Sequence, residues 1–114
     1  MREFILLAAA ALSLAPATAN AGWKTGNNLY ESCKSERPLQ YADCTSFSMG
    51  IIDASELLGK TLHIPADITA GQLHDIVFKY LENHPENRHW PASILVWNAI
   101  REAYPAENPP LKGQ

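Results

Sequence analysis

The apolar residues of this chain recur at helical spacing in four segments, and the third segment has the clearest pattern. Thr69 is followed three residues later by Gln72, and this capping box opens a helix. Behind the box, one helical face carries Leu73, Ile76, Val77, Tyr80 and Leu81. The pattern ends before His84-Pro85, because proline interrupts the hydrogen bonding of a helix. A helix between Thr69 and His84 is therefore predicted.

Two segments on its N-terminal side have the same period. A short first helix, with Thr25 as its N-cap, is predicted before Pro38. Its apolar face carries Leu29 and Cys33. A second helix should start near Cys44 or slightly earlier and run to Gly59, since glycine favours a helix stop. Its apolar face carries Phe47, Ile51, Ala54 and Leu58.

Pro91 opens a fourth predicted helix, because proline is favoured at the first helical position. One face of this helix carries Ala92, Leu95, Val96, Ala99 and Ala103, with Trp97, Ile100 and Tyr104 beside it. The stripe is broad enough to be buried from two directions, and we expect Trp97 to lie in the core. Since no segment alternates with period two, the predicted fold class is all-α, a compact bundle of about four main helices.

Residues 1–21 have the organisation of a secretory signal peptide. An arginine near the start precedes the apolar run 4–14, and small residues lead to Ala21. The apolar run is too short for a transmembrane anchor, which needs roughly 20 residues. We therefore expect export, with cleavage after Ala21 or, alternatively, after Ala19.

Removal of the signal peptide leaves one domain over residues 22–105 and a segment, residues 106–114, that is expected to be a flexible tail. A chain of this size is near the lower limit for a self-sufficient core, so a disulfide or a dimer is expected to support it. The formal net charge is −3 and there is no basic run, which argues against nucleic acid as a partner. After cleavage, no contact with a membrane is expected.

Cys33 and Cys44 are the two cysteines of the chain and lie at the end of the first predicted helix and the start of the second. In an oxidising compartment such a pair is expected to form a disulfide. The alternatives are a thiol nucleophile or a metal site with His63, His84 or His89. No Cys-x-x-Cys or His-Glu-x-x-His spacing supports a metal site, so neither a metal nor a cofactor is expected.

The densest group of polar and aromatic residues lies between the third and fourth helices, in residues 83–90. Loops with tryptophan, arginine and histidine are frequent at protein interfaces. Equally, the segment is a plain connection if His84 caps the preceding helix while Glu86 and Arg88 are solvated. Composition alone leaves both interpretations open. Asp53, on the second helix, is either paired locally or turned toward a partner.

Catalytic hydrolysis requires a nucleophile or two poised carboxylates. Asp53, Asp75 and Glu86 have no evident partner in the sequence. No enzymatic activity is therefore expected.

Several short motifs follow one another along the exported chain. They are Cys33, Cys44 followed by FSMGIIDA at 47–54, Ile64-Pro65, Thr69-x-x-Gln72-Leu73, Val77-x-x-Tyr80-Leu81-x-x-His84-Pro85-Glu86-x-Arg88-His89, and Tyr104-Pro105. This order resembles the Rap/Tai family, the small periplasmic immunity proteins that neutralise peptidoglycan amidase effectors delivered by type VI secretion. The resemblance extends from about Gly26 to Pro105, and the His-Pro-Glu-x-Arg-His run is its most specific part.

The resemblance implies an α-helical periplasmic protein, often a homodimer, that is not an enzyme. It also implies that a protruding loop or helix end occludes the substrate groove of a cognate amidase effector, which is the expected partner. Family members usually carry a second cysteine pair, at positions that here hold His63 and Ala106. The lack of this pair implies a fourth helix that depends more on packing by Trp97, Ile100 and Tyr104.

The residues expected to contact the partner are, in the connection, His84, Glu86, Asn87, Arg88, His89 and Trp90, and on the second helix Asp53. A protein of another class remains the alternative: a small disulfide-bonded periplasmic stress protein that resembles acid chaperones of the HdeA type. Four histidines and several carboxylates would make such a domain sensitive to falling pH.

Overall fold

A computed structural model describes residues 23–109. Four α-helices follow one another, α1 (Gly26–Lys34), α2 (Pro38–Leu57), α3 (Ala70–Asn83) and α4 (Ala92–Ala103), with a 3-10 turn at Pro85–Asn87. Every pair of these α-helices is in contact. Between residues 23 and 109 there is no strand, and one isolated bridge joins Thr25 and Pro91. The predicted all-α bundle is confirmed.

Two predicted segments lie outside the described residues. They are the signal peptide, residues 1–21, and the end of the tail, residues 110–114. Within residues 23–109, no helix has both the length and the apolar character needed to cross a membrane.

Side-chain caps start α1 and α3 at the predicted positions. At α1, Thr25 Oγ1 accepts a hydrogen bond from the N–H of Asn28 (3.2 Å), and Asn28 Oδ1 accepts one from the N–H of Thr25 (3.1 Å). Thr69 and Gln72 repeat this arrangement at α3, with distances of 3.1 and 2.8 Å. Each box satisfies a main-chain N–H group that has no partner inside its helix.

The start of α2 differs from the prediction. The helix begins at Pro38, earlier than the expected start near Cys44, because proline at the first helical position loses no hydrogen bond. Gly59 follows the helix with a φ of +68°, which confirms glycine as the stop. The start of α4 differs from the prediction by one residue. Pro91, predicted as the first helical residue, is the N-cap, and Ala92 is the first helical residue.

One face of each helix contributes to the core. The buried apolar residues are Leu29, Cys33, Cys44, Leu62, Leu73, Val77, Leu81, Ala92, Leu95, Val96, Ala99 and Ile100. Trp97, expected in the core, is half-buried at its edge. On α2 the predicted stripe is wrong in part, because Thr45, Ser48 and Ser55 are buried while Leu58 is 70% exposed. Small side chains let α2 approach its neighbours, and each hydroxyl donates to a carbonyl of its own helix.

The predicted disulfide between Cys33 and Cys44 is confirmed. It joins the end of α1 to α2 across a Cα–Cα distance of 5.0 Å, and both cysteines are at most 1% exposed. His74 of α3 lies beside it and is 8% exposed. Its Nε2 lies 2.8 Å from the carbonyl oxygen of Cys33, and its ring stacks on Tyr41 of α2 with centroids 4.3 Å apart. Three helices therefore meet at the disulfide.

Lys24, ahead of α1, is tied to α2 through Asp43. Lys24 Nζ lies 2.6 Å from Asp43 Oδ2, which also accepts a hydrogen bond from Ser32 Oγ (2.6 Å). The pKa of Asp43 lies below its ordinary value of 3.8. The hydrogen bond from Lys24 is the largest cause of this shift, and the hydrogen bond from Ser32 is the second. The ionised carboxylate thus holds the start of the domain in place.

Asp43→Asn should reduce the acid sensitivity of the fold. A lowered pKa contributes stability that is complete above the unfolded-chain value of 3.8 and is lost as the pH falls below it through the folded-state pKa. Urea unfolding at about pH 6 and about pH 3 should show a smaller loss of stability in the variant than in the wild type. Ser32→Ala keeps the ion pair and should give an intermediate loss. Equal losses in all three proteins would contradict this account.

The chain after α4 folds back onto the loop between α2 and α3. Asn108 is 7% exposed and accepts a hydrogen bond from the N–H of His63 (2.8 Å). Its amide donates to the carbonyl oxygens of His63 (2.8 Å) and Tyr104 (3.0 Å). The first residues of the expected tail are therefore held by hydrogen bonds.

Asn108→Ala should lower the free energy of unfolding by about 2 kcal/mol, because main-chain groups of His63 and Tyr104 lose their partner. Urea denaturation measures the change. Glu107→Ala, at the exposed neighbouring position, is the control and should stay within about 0.5 kcal/mol of the wild type. If Asn108→Ala changed stability as little as the control, the asparagine would have no anchoring role.

Candidate functional site

Residues 84–91 form a corner between α3 and α4 that main-chain hydrogen bonds hold against the start of α1; we call it the α3–α4 corner. The N–H of Gly26 donates to the carbonyl oxygen of Trp90 (2.8 Å), and the N–H of the next residue donates to that of Arg88 (2.7 Å). In the opposite direction, the N–H of the first residue of α4 donates to the carbonyl oxygen of Lys24 (2.8 Å). These bonds fix the path of the corner without using its side chains.

Close packing at the corner requires glycine at position 26. A Cβ atom there would lie 2.2 Å from Cδ1 of Leu95 and 2.6 Å from the main-chain oxygen of Arg88. Contacts this short force the neighbouring atoms apart, so a larger residue would push the corner away from α1. The role of Gly26 could not be predicted from the sequence, because its contacts come from residues that are distant in the chain.

Arg88 is engaged inside the fold, so the plain-connection interpretation is wrong where it leaves this arginine solvated. Its Nε–H donates to the carbonyl oxygen of Leu81 (2.7 Å) and its Nη2 to that of Glu82 (3.2 Å), near the C-terminal end of α3. The guanidinium lies over the ring of Tyr30, 3.8 Å from its centroid. Charge-assisted hydrogen bonds and a cation–π contact therefore make Arg88 a clamp between α1 and α3.

His84 caps α3, as one of the two sequence interpretations describes. Its Nδ1 lies 2.7 Å from the carbonyl oxygen of Tyr80, to which an Nδ1–H donates, and the two rings stack with centroids 4.0 Å apart. Burial is the main cause that raises the pKa of the Tyr80 phenol, so this group is neutral at physiological pH. The His84 ring is half-buried by these contacts.

The side chains that face solvent at the corner are those of Glu86, His89 and Trp90, and Asn87 is half-buried. Trp90 is 39% exposed and meets the ring of His89 edge to face, with centroids 6.2 Å apart. An aromatic side chain on a fixed support is typical of the residues that anchor protein interfaces. The corner also exposes the carboxylate of Glu86 and the imidazole of His89.

Asp53 lies on a different surface. It is exposed on α2 and lines a depression of about 210 Å³ together with apolar residues of α2, α3 and the loop between them. The six other predicted contact residues lie at the α3–α4 corner, and none of them lines this depression. Within residues 23–109, no group of three or more histidine, cysteine, aspartate or glutamate side chains is placed to hold a metal ion.

A family model matches most of the described chain. The model for Rap1a immunity proteins matches residues 25–106, from the N-cap of α1 to just beyond α4, and this range includes the disulfide and the whole α3–α4 corner. No curated protein and no solved structure matches the chain. By this match the chain belongs to the Rap1a immunity protein family, and the protein is an immunity protein against a secreted effector.

Proposed function

We propose that the protein binds a peptidoglycan amidase effector delivered by type VI secretion and blocks its substrate groove in the periplasm. Membership of the immunity family supports the role against an effector. The observation that carries the proposal is the geometry of the α3–α4 corner, which presents Trp90 on a main-chain frame fixed by hydrogen bonds from the start of α1.

A fixed corner suits inhibition by occlusion. A segment that is already ordered loses little conformational entropy when it binds, so more of the contact energy contributes to affinity. The ring of Trp90 is then the anchor in the groove of the amidase, and Glu86 and His89 make polar contacts at its rim. Binding, without a catalytic step in this protein, accounts for protection.

Inhibition of a peptidoglycan amidase encoded beside this gene tests the proposal. The purified exported chain should stop hydrolysis of peptidoglycan at an equimolar ratio, and the two proteins should co-purify from periplasmic extracts. Failure to bind such an amidase would overturn the proposal. Protection of an aggregation-prone client at low pH would instead favour the acid chaperone. Sedimentation velocity of the free protein tests the homodimer that the family resemblance implies.

Trp90→Ala should weaken binding to the amidase about 30-fold, the effect of losing an interface anchor. Thermal stability should change little, because the main chain at position 90, and not the ring, holds the corner. Isothermal titration calorimetry measures the affinity. Leu39→Ala, at a position that is 86% exposed at the start of α2, is the control and should bind like the wild type. Equal affinities of the two variants would exclude Trp90 as the anchor.

A further inference from the structure

An apolar groove runs along the surface between α4 and the C-terminal half of α2. It encloses about 250 Å³ and is lined by Ile51, Ala54, Leu58, Ser93, Ile94 and Trp97. We call it the α2–α4 groove. Leu58 is 70% exposed and Ile94 is 46% exposed, so large apolar side chains lie open to solvent along it. Ser93 is the one polar residue among those that line the groove.

The groove follows from the way in which α2 packs. The side of α2 that faces the bundle carries Ser48 and Ser55, each at most 1% exposed, whereas Ala54 is exposed and Leu58, directly after the helix, is 70% exposed. A helix that is apolar beyond its packed side is normally buried on both sides. Residues 23–109 cover one of these sides, so the other side is available to a partner.

A cleft with positive charge shares one lining residue with the groove. Trp97 lines the groove and the cleft. The cleft has a volume of about 220 Å³ and is also lined by Lys60, His63 and Arg101. Glu107 is the one carboxylate among its lining residues. Within the part of the chain that the structure describes, no carboxylate oxygen lies within 4.0 Å of the charged nitrogens of Lys60 or Arg101. We call this the basic cleft. A carboxylate from a partner would find two cations there without an ion-pair partner.

The groove begins close to the α3–α4 corner. Ile94 and Trp97 lie three residues apart on one side of α4, and Trp90 precedes the first residue of this helix by two positions. Trp90 is 39% exposed, Ile94 is 46% exposed and Trp97 is half-buried. The groove thus lies along the N-terminal half of α4, next to the corner in the chain.

We propose that the α2–α4 groove and the basic cleft bind an amphipathic segment of the effector, with its apolar side chains in the groove and a carboxylate in the cleft. This inference rests on the proposed function, because it names a second contact surface for the same partner. The arrangement of the two surfaces sets the order of the segment: the apolar positions lie toward the corner, and the acidic group lies beyond Trp97.

Charge substitutions test the inference with the amidase described above. Leu58→Asp should weaken binding about 100-fold, because it places a carboxylate in the apolar groove. Arg101→Glu should weaken it about tenfold and reduce its dependence on salt. Leu57→Asp is the matched control: this neighbouring leucine is more exposed, at 88%, and does not line the groove, so the variant should bind like the wild type. Circular dichroism verifies that each variant is folded.

The two proposals fail in different ways. If the wild-type protein does not bind the amidase, the proposed function is overturned. If the wild type and Leu58→Asp bind the amidase equally well, the groove is not a contact surface and only the present inference is overturned. If Leu58→Asp dissociates a dimer of the free protein while its affinity for the amidase is unchanged, the groove joins two copies of this chain, which also overturns the inference.

A small anionic dye provides a test that needs no effector. The dye 8-anilinonaphthalene-1-sulfonate combines an apolar ring system with an anion, and the native wild type should bind it with enhanced, blue-shifted fluorescence. Leu58→Asp and Arg101→Glu should each lower the affinity about tenfold, whereas Leu57→Asp should not. Absence of dye binding to the folded wild type, or equal binding by all variants, would overturn the inference.

Discussion

The double variant Cys33→Ala/Cys44→Ala should lose about 3 kcal/mol of unfolding free energy. The disulfide closes a short loop, with a sequence separation of 11, and thereby removes conformations from the unfolded chain. Both sulfurs are also buried where α1, α2 and α3 meet, so their loss removes packing. Domains of this kind have about 5–15 kcal/mol in total, so the loss is large. Urea denaturation of the purified protein at neutral pH measures it.

Reduction of the wild type provides the control for this prediction. Dithiothreitol should shift the unfolding midpoint of the wild type toward that of the double variant, and it should leave the variant unchanged. An oxidised wild type that unfolds at the same urea concentration as the variant would show that the disulfide does not support the fold.

Arg88→Met should lower the free energy of unfolding by about 3 kcal/mol. Methionine keeps much of the length of the side chain but removes the hydrogen bonds to the carbonyl oxygens of Leu81 and Glu82. It also removes the cation above the Tyr30 ring. Because the main chain at position 88 accepts a hydrogen bond from α1, loss of the clamp should also loosen the corner itself. Urea denaturation and amide hydrogen exchange at Gly26 measure the two effects.

Arg37→Met is the matched control for this clamp. Arg37 is exposed at the N-cap of α2, and its side chain makes no capping hydrogen bond. The control should therefore stay within about 0.5 kcal/mol of the wild type. If both arginine variants were equally stable, or if exchange at Gly26 were unchanged in Arg88→Met, the clamp would have no role in ordering the corner.

Local signals in the sequence predict most of the fold. The N-cap at Thr25 and the capping box at Thr69 predict two helix starts, because their hydrogen bonds form between residues three positions apart. Proline is more ambiguous, since Pro38 fits both the end of one helix and the first position of the next. Hydrophobicity alone also misassigns the buried side of α2, where Ser48 and Ser55 pack because they are small and donate to their own helix.

The candidate site could be predicted only as a segment of the chain. Composition identifies residues 83–90 but does not separate the roles of Arg88, which is bonded inside the fold, and Trp90, which is exposed. The difference between these two roles depends on Gly26 and Tyr30, which approach the corner from α1 and are far from it in sequence. The α2–α4 groove was missed for the same reason, because an apolar stripe does not show whether another element covers it.

The hydrogen bonds that hold the α3–α4 corner have a consequence for how specificity can change. They join main-chain atoms, so the frame does not depend on which side chains stand at positions 86, 89 and 90. Replacements at these positions alter the shape and charge of the proposed contact surface, whereas replacements at Gly26 or Arg88 alter the frame itself. In the proposed function, the corner is therefore a platform on which recognition of a new effector can evolve one side chain at a time while the fold stays the same.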